Sequence, residues 1–166
     1  EKTTLTFQEI RDLDIKQIAA WPSTIESVDL KLANIINATK APGFNQALSN
    51  NNKHILRMEP LKWWIIGSNN IELESELGAI VDLSHAFTLI EIRGDSVKNF
   101  LNRHLPLDLR NISFPINSTA SSSVHHVSVK IWRTDLGYKL FIPRGFALSI
   151  WKILLETAAQ FGYEIL

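Results

Sequence analysis

The sequence predicts an α+β protein, a mainly antiparallel sheet with helices packed on one face. Three observations carry that reading. Phe87–Arg93 reads as an extended, half-buried strand with Thr88, Ile90 and Ile92 on one face and Leu89, Glu91 and Arg93 on the other, and Val127–Arg133 alternates with Val127, Val129 and Ile131 on one face. Thr134-Asp135-Leu136-Gly137 then turns the chain into a return strand with Tyr138, Leu140 and Ile142 on one side, which makes a hairpin. From Phe146 to Phe161, the residues Ala147, Ile150, Trp151, Leu154, Ala158 and Phe161 form a helical apolar stripe, stopped by Gly162.

The remaining elements follow in order. Leu5, Phe7, Ile10 and Leu13 are spaced like one face of a short helix within residues 1–14. Ile15 to Trp21 reads as extended and ends at Trp21-Pro22. Ser23-Thr24-Ile25-Glu26 has the S-x-x-E form of a capping box. The helix it opens turns Ile25, Val28, Leu32 and Ile35 or Ile36 inward, and strand into capped helix reads as the start of a βαβ unit. Lys40 to Asn52, with Pro42-Gly43 and several Ser and Asn, reads as a loop.

Lys53–Met58 and Leu61–Gly67 are two short extended pieces separated at Glu59-Pro60. Ser68–Leu77 reads as a short helix capped from Asn69-Asn70 and stopped by Gly78. Ala79–Asp82 is a strand broken at Ser84-His85, and Phe87–Arg93 resumes it. Asp95 is placed to cap a helix whose inward positions are Val97, Phe100, Leu101, His104 and Leu105, with Pro106 to Leu109 as the exit. Arg110–Ser123 reads as an irregular connection and Val124–Arg133 as one strand. Tyr163 to Leu166 add a last one. Two ferredoxin-like halves accommodate this order within one domain over residues 1–166.

Composition narrows the function. Seventeen basic and seventeen acidic residues cancel, so no net field favours nucleic acid or anionic lipid. The absence of cysteine excludes disulfides, thiolate metal sites and a cysteine nucleophile, and suits the cytoplasm. No apolar run approaches the roughly 20 residues that cross a bilayer. The chain starts at Glu1 rather than at a methionine, and residues ahead of it are expected.

Chemistry is sparse. Asp82, Ser84 and His85 invite a hydrolase reading, but three residues within four positions do not converge as a nucleophile, base and orienter do. A polar bend is the better account. His54, His85, His104, His125 and His126 have no chelating spacing, so no metal site is expected. His125 and His126, adjacent on a strand, face opposite ways. The glycines are dispersed single breaks, without a phosphate loop. No catalytic residue is expected.

The tryptophans stand out. Trp63 and Trp64 are adjacent on a strand, so they point to opposite faces and one is expected to be markedly more accessible. Trp132, beside Lys130 on the polar face of its strand, joins Trp63 and Trp64 as a candidate partner interface. Trp151 and one of Trp63 and Trp64 are expected in the core.

Four blocks carry a resemblance. They are MEPLKWWIIG (58–67), VDLSHAFTLIEIRGDSVKNFLNRHLPLDL (81–109), VSVKIWRTDLGYKLFIPRGFALSIWKILLETAAQFG (127–162) and the capped helix near 23–38. In order and separation they resemble the glycine-cleavage T-protein, or folate-binding-domain, superfamily, and within it the gamma subunit of heterotetrameric sarcosine oxidase. Glu59 stands where that family has glycine, and Gly145 where it has serine. The resemblance implies the T-protein fold and an accessory chain docked on the large (alpha) subunit of a hetero-oligomer that oxidatively demethylates sarcosine to glycine. It implies that the one-carbon unit passes to tetrahydrofolate. FAD, FMN, NAD, zinc and tetrahydrofolate would then belong to the partner subunits, and none to this chain. The second reading is a free-standing folate-binding or aminomethyltransferase-like domain, with Asp82 or Asp108 as the polar handle for a pterin.

Overall fold

The computed structural model describes residues 4–68 and 70–166. In chain order the elements begin with strands β1 (Leu5–Ile10) and β2 (Ile15–Ala20) and helix α1 (Ile25–Ile35). Strands β3 (Gln46–Asn50), β4 (Lys53–Glu59), β5 (Lys62–Ile66), β6 (Gly78–Asp82) and β7 (Phe87–Arg93) follow. Helix α2 (Val97–Leu101) leads to strands β8 (Thr119–Val124), β9 (Val127–Arg133) and β10 (Tyr138–Pro143). A 3₁₀ turn at Arg144–Phe146 runs into helix α3 (Ala147–Ala158), and β11 (Tyr163–Ile165) closes the list. The chain gathers into two compact units, Glu1–Arg11 with Ala86–Leu166, and Asp12–His85.

The unit Asp12–His85 is a five-stranded sheet in the order β3-β4-β5-β2-β6, antiparallel throughout. Its core is Ile18, Val28, Leu32, Ile36, Ile55, Trp63 and Ile65, with α1 supplying the middle members. β2 and β4 run the same way but β5 lies between them, so the βαβ reading becomes the split form found in ferredoxin-like halves. Where such a half has its second helix, residues 70–77 are irregular and turn, against the predicted helix. The spacing explains why: Ile71, Leu73 and Leu77 lie at even intervals, and as an extended chain they pack together against the core. The predicted cap at Asn69 lies outside the described residues.

The unit containing both ends is a six-stranded sheet in the order β11-β1-β7-β10-β9-β8. Setting β1 aside, β7, β9, β10 and β11 repeat the split pattern, with β10 between the like-running β7 and β9. Its core joins Phe7, Ile90, Ile92, Phe100, Leu101, Val129, Ile131, Leu140, Ile142, Ile150 and Leu154, so the predicted inward faces of the hairpin and of α3 hold. The fold is thus mainly antiparallel α+β with ferredoxin-like halves, as the sequence predicts.

Several local readings change. Residues 5–10 are a strand, not a helix: Leu5 and Phe7, two apart, are both fully buried, and the ladder to β7 outweighs a weak helical spacing. β3 and β8 arise in stretches read as loops. Each is an edge strand paired on one side only, β3 to β4 and β8 to β9, so few apolar residues suffice. Strand β9 starts later than read, because His125 and His126 form the β8–β9 turn with positive φ (45° and 67°). Neither helix cap forms as read. α1 starts after Thr24, whose hydroxyl donates to the Trp21 carbonyl (3.1 Å). α2 starts after Ser96, and neither residue makes a side-chain cap bond. Among the described residues no helix is long and apolar enough to cross a membrane.

Candidate functional site

The three tryptophans read as an exposed interface are buried. Trp63 is 0% and Trp64 4% exposed, which corrects the expected asymmetry. Trp63 sits in the core under α1, with the Arg57 guanidinium 4.6 Å from its ring centre. Trp64, on the opposite face of β5, donates from Nε1 to Gln17 Oε1 of the neighbouring strand (3.2 Å). Trp132 is 3% exposed, and the Lys139 ammonium of the paired strand lies 4.9 Å from its ring centre. Alternation predicted opposite faces correctly; it could not reveal that both faces are covered. None of the three presents an accessible ring.

The two carboxylates proposed as pterin handles are held in local turns. Asp82 accepts from Lys16 Nζ (2.9 Å) and from the Ser84 amide (2.9 Å), and Ser84 Oγ in turn accepts from the Ile15 amide (3.0 Å). The bonds from Ser84 and then Lys16 hold the Asp82 carboxyl well below the usual carboxylate range. His85 is exposed beyond this bend. The predicted polar bend is what forms, and Ser84 serves a backbone amide instead of facing a base.

Asp108 makes the same kind of structure. It accepts from the Arg110 amide (3.1 Å), from Arg110 Nη2 (2.6 Å) and from the Ser113 hydroxyl (2.7 Å). These donors, Arg110 foremost, likewise push its carboxyl far down. Among the described residues no cluster of three or more His, Asp or Glu is arranged to hold a metal.

The concave site lies elsewhere, within the six-stranded unit. A groove of about 520 Å³ opens between the start of α3 and the end of the sheet. Ile90, Ala147, Leu148, Trp151, Ile165 and Leu166 form its apolar walls, and Glu9 and Arg11 stand at its rim. Arg11 Nε donates to Glu9 Oε2 at 2.9 Å. Leu148, Ile165 and Leu166 are 68%, 54% and 66% exposed. Sequence reading missed this site. It placed Ala147 and Trp151 in the core stripe and a strand at the end, but only the pairing of β11 with β1 brings them beside Arg11.

This architecture defines a class. Aminomethyltransferase T of the glycine cleavage system from Bartonella henselae superimposes with a TM-score of 0.66 at 14% identity, covering 99% of this chain and 48% of that one. The heterotetrameric sarcosine oxidase from Corynebacterium sp. U-96, in complex with pyrrole 2-carboxylate, provides a chain that matches at 0.82 and 18% identity, over 95% of this chain and 85% of that one. The fold is that of the T-protein class. In sequence the chain is 24% identical over 119 residues to the sarcosine oxidase subunit gamma of Corynebacterium sp. (strain P-1). It is 28% identical over 74 residues to that of an Arthrobacter species. No family model matches. In sequence the chain is thus similar to proteins named sarcosine oxidase subunit gamma, the family its sequence resembles. The two alignments take in 66% and 45% of this chain and 59% and 36% of those relatives.

Proposed function

We propose that this chain is a non-catalytic gamma-type accessory subunit, one domain over residues 1–166, docked on the large (alpha) subunit of a cytoplasmic sarcosine oxidase. The assembly would demethylate sarcosine oxidatively to glycine and pass the one-carbon unit to tetrahydrofolate. FAD, FMN, NAD, zinc and folate would reside on the other subunits. The observation that carries the reading is the alignment with two proteins each named a gamma subunit, on a fold matching over 95% of the chain. Local chemistry supports it. Asp82 and Asp108, the only folate handles the sequence offered, already serve neighbouring amides and cations.

The test is co-expression with the large flavoprotein subunit and capture through a tag on this chain. A yellow complex of fixed stoichiometry is expected. Calorimetry of the isolated chain with tetrahydrofolate should give no binding heat. Micromolar folate affinity, or turnover of any one-carbon donor by the chain alone, would replace this reading with the free-standing folate-domain one.

A further inference from the structure

We propose that Lys98 and Arg133 form a binding site for a carboxylate, in which Asn111 Oδ1 holds the place of one carboxylate oxygen. The site lies within the six-stranded unit and does not depend on the accessory-subunit reading.

Two cations converge there on one neutral oxygen. Lys98 Nζ and Arg133 Nη2 both donate to Asn111 Oδ1, the second at 2.9 Å. An amide oxygen has two lone pairs and so accepts both bonds, but it brings no charge to offset the two it meets. Neither cation has an acidic partner among the described residues. Asp108, three residues before Asn111, gives its oxygens to Arg110 and Ser113. Asp135, two residues after Arg133, is exposed and makes no ion pair with it.

Both cations stand on fixed elements. Lys98 lies in α2, which Val97, Phe100 and Leu101 anchor in the core. Arg133 ends β9, and its backbone bonds to Asn117 and Ser118. Its guanidinium lies 5.8 Å from the Tyr138 ring centre and donates from Nη1 to the Phe114 carbonyl. Two of the five N–H groups of the guanidinium are thereby spent, and the rest are available to a ligand. Asn111 is exposed, so its amide can turn into water and leave both cations to an incoming carboxylate. Hydrogen bonds to a charged acceptor are about twice as strong as neutral ones, which favours that exchange.

Apolar surface beside the pair selects the class of anion. Ile112 follows Asn111 directly and is 88% exposed, and Ile116 is 52% exposed. A carboxylate on a hydrocarbon chain uses both the charge and that surface, whereas inorganic phosphate uses only the charge.

The test is an NMR titration of the full chain at constant ionic strength. Butyrate should give saturable shifts at Asn111 and Ile112 with a Kd on the order of 1–10 mM, and chloride should give none. Lys98→Ala should weaken butyrate binding at least about fivefold. Asn111→Asp supplies the carboxylate from the chain itself: the butyrate shifts should vanish, and the melting temperature should rise by about 2–4 °C. Circular dichroism checks folding, and Lys98→Gln replaces the alanine variant if that one is unfolded. A blocked Leu-Glu-Leu tripeptide bound at least about tenfold tighter than butyrate assigns the carboxylate to a protein side chain, and binding no tighter assigns it to a small acid. Butyrate shifts matched by chloride, or unchanged by Lys98→Ala, overturn the site. Binding of inorganic phosphate without a response to butyrate overturns the carboxylate class.

Discussion

The two units share a split β-α-β pattern and fill it differently. In the six-stranded unit a cluster of rings lies within an otherwise aliphatic core. Phe7 meets Phe100, Trp151 and Tyr163 edge to face, with ring centres 5.5, 5.5 and 6.0 Å apart, and Phe100 also meets Phe161 at 6.0 Å. One side chain on β1 thus ties together α2, α3 and β11, which come from distant parts of the chain. In the five-stranded unit aliphatic residues surround the single ring of Trp63, under one helix. Aromatic pairs also contribute about 0.5–1.5 kcal/mol beyond their buried area, so the first core should respond more sharply to truncation.

The largest expected effect tests that contrast. Phe100→Ala removes a fully buried ring that meets Phe7, His104 and Phe161, and should cost about 3–5 kcal/mol in urea unfolding. Ile55→Val, in the aliphatic core, should cost about 0.5–1.5 kcal/mol. Because those substitutions differ in size, Trp63→Ala provides the matched comparison: its core neighbours among the described residues are aliphatic, and its loss should cost less than Phe100→Ala despite its larger area. Equal or greater loss for Trp63→Ala would break the distinction between the cores.

The next effect separates two glycines of the six-stranded unit. Gly94 lies at φ +125°, and a Cβ there would stand 2.0 Å from the Thr4 carbonyl oxygen, so Gly94→Ala should cost about 1–3 kcal/mol. Gly145, in the 3₁₀ turn before α3, has open space around it. Gly145→Ala should be neutral or stabilise by about 0.4–1 kcal/mol, by restricting the unfolded chain. Thermal melts of the two variants give the comparison directly.

Legibility in the sequence followed the number and period of apolar residues. β7, β9, β10 and α3 each carry a run of apolar residues at the period of their element, and each was readable. β3 and β8 were not, because QALSN and TASSSV pack little and owe their form to the neighbouring strand. β1 was misread because Leu5 and Phe7 show strand spacing for only two positions before Glu9 reaches the groove rim. The polar bend at Asp82–Ser84 was legible because it is local. The burial of Trp64 and Trp132 was not, since alternation says which face a residue takes and nothing about what covers it. The groove was invisible for a related reason: its walls come from both ends of the chain.

A smaller effect should appear with pH. His104 packs its ring against Phe100 at 5.2 Å, and its Nε2 is buried with no hydrogen-bond partner. Burial first, then the nearby charges of His125 and Arg103, lowers its pKa from the ordinary 6.5. The unfolded chain therefore binds a proton that the folded chain declines. Its contribution is fully present above about pH 6.5 and is lost as pH falls through that value and down through the folded pKa. His104→Gln should flatten the stability profile between pH 7 and 5, measured by urea unfolding. A profile unchanged by the substitution would place the acid sensitivity on other groups.

The smallest effects belong to the two carboxylate turns, one in each unit. Both carboxyl groups are held far below the usual range, Asp82 by Ser84 and Lys16, Asp108 by Arg110 and Ser113. The sign is the reverse of a carboxyl kept protonated. Their contribution is present above the ordinary carboxylate pKa and is lost only as pH falls through the depressed one. In a carbon-detected NMR titration, both side-chain carboxyl signals should stay at their ionised positions through the pH range where exposed Asp residues titrate. Asp82→Asn should release Lys16, and Asp108→Asn should release Arg110, with little change in melting temperature because these pairs lie in solvent. If either carboxylate instead titrated normally and moved on addition of folate, that turn would be a ligand site, and the assignment of folate to other subunits would have to be revised.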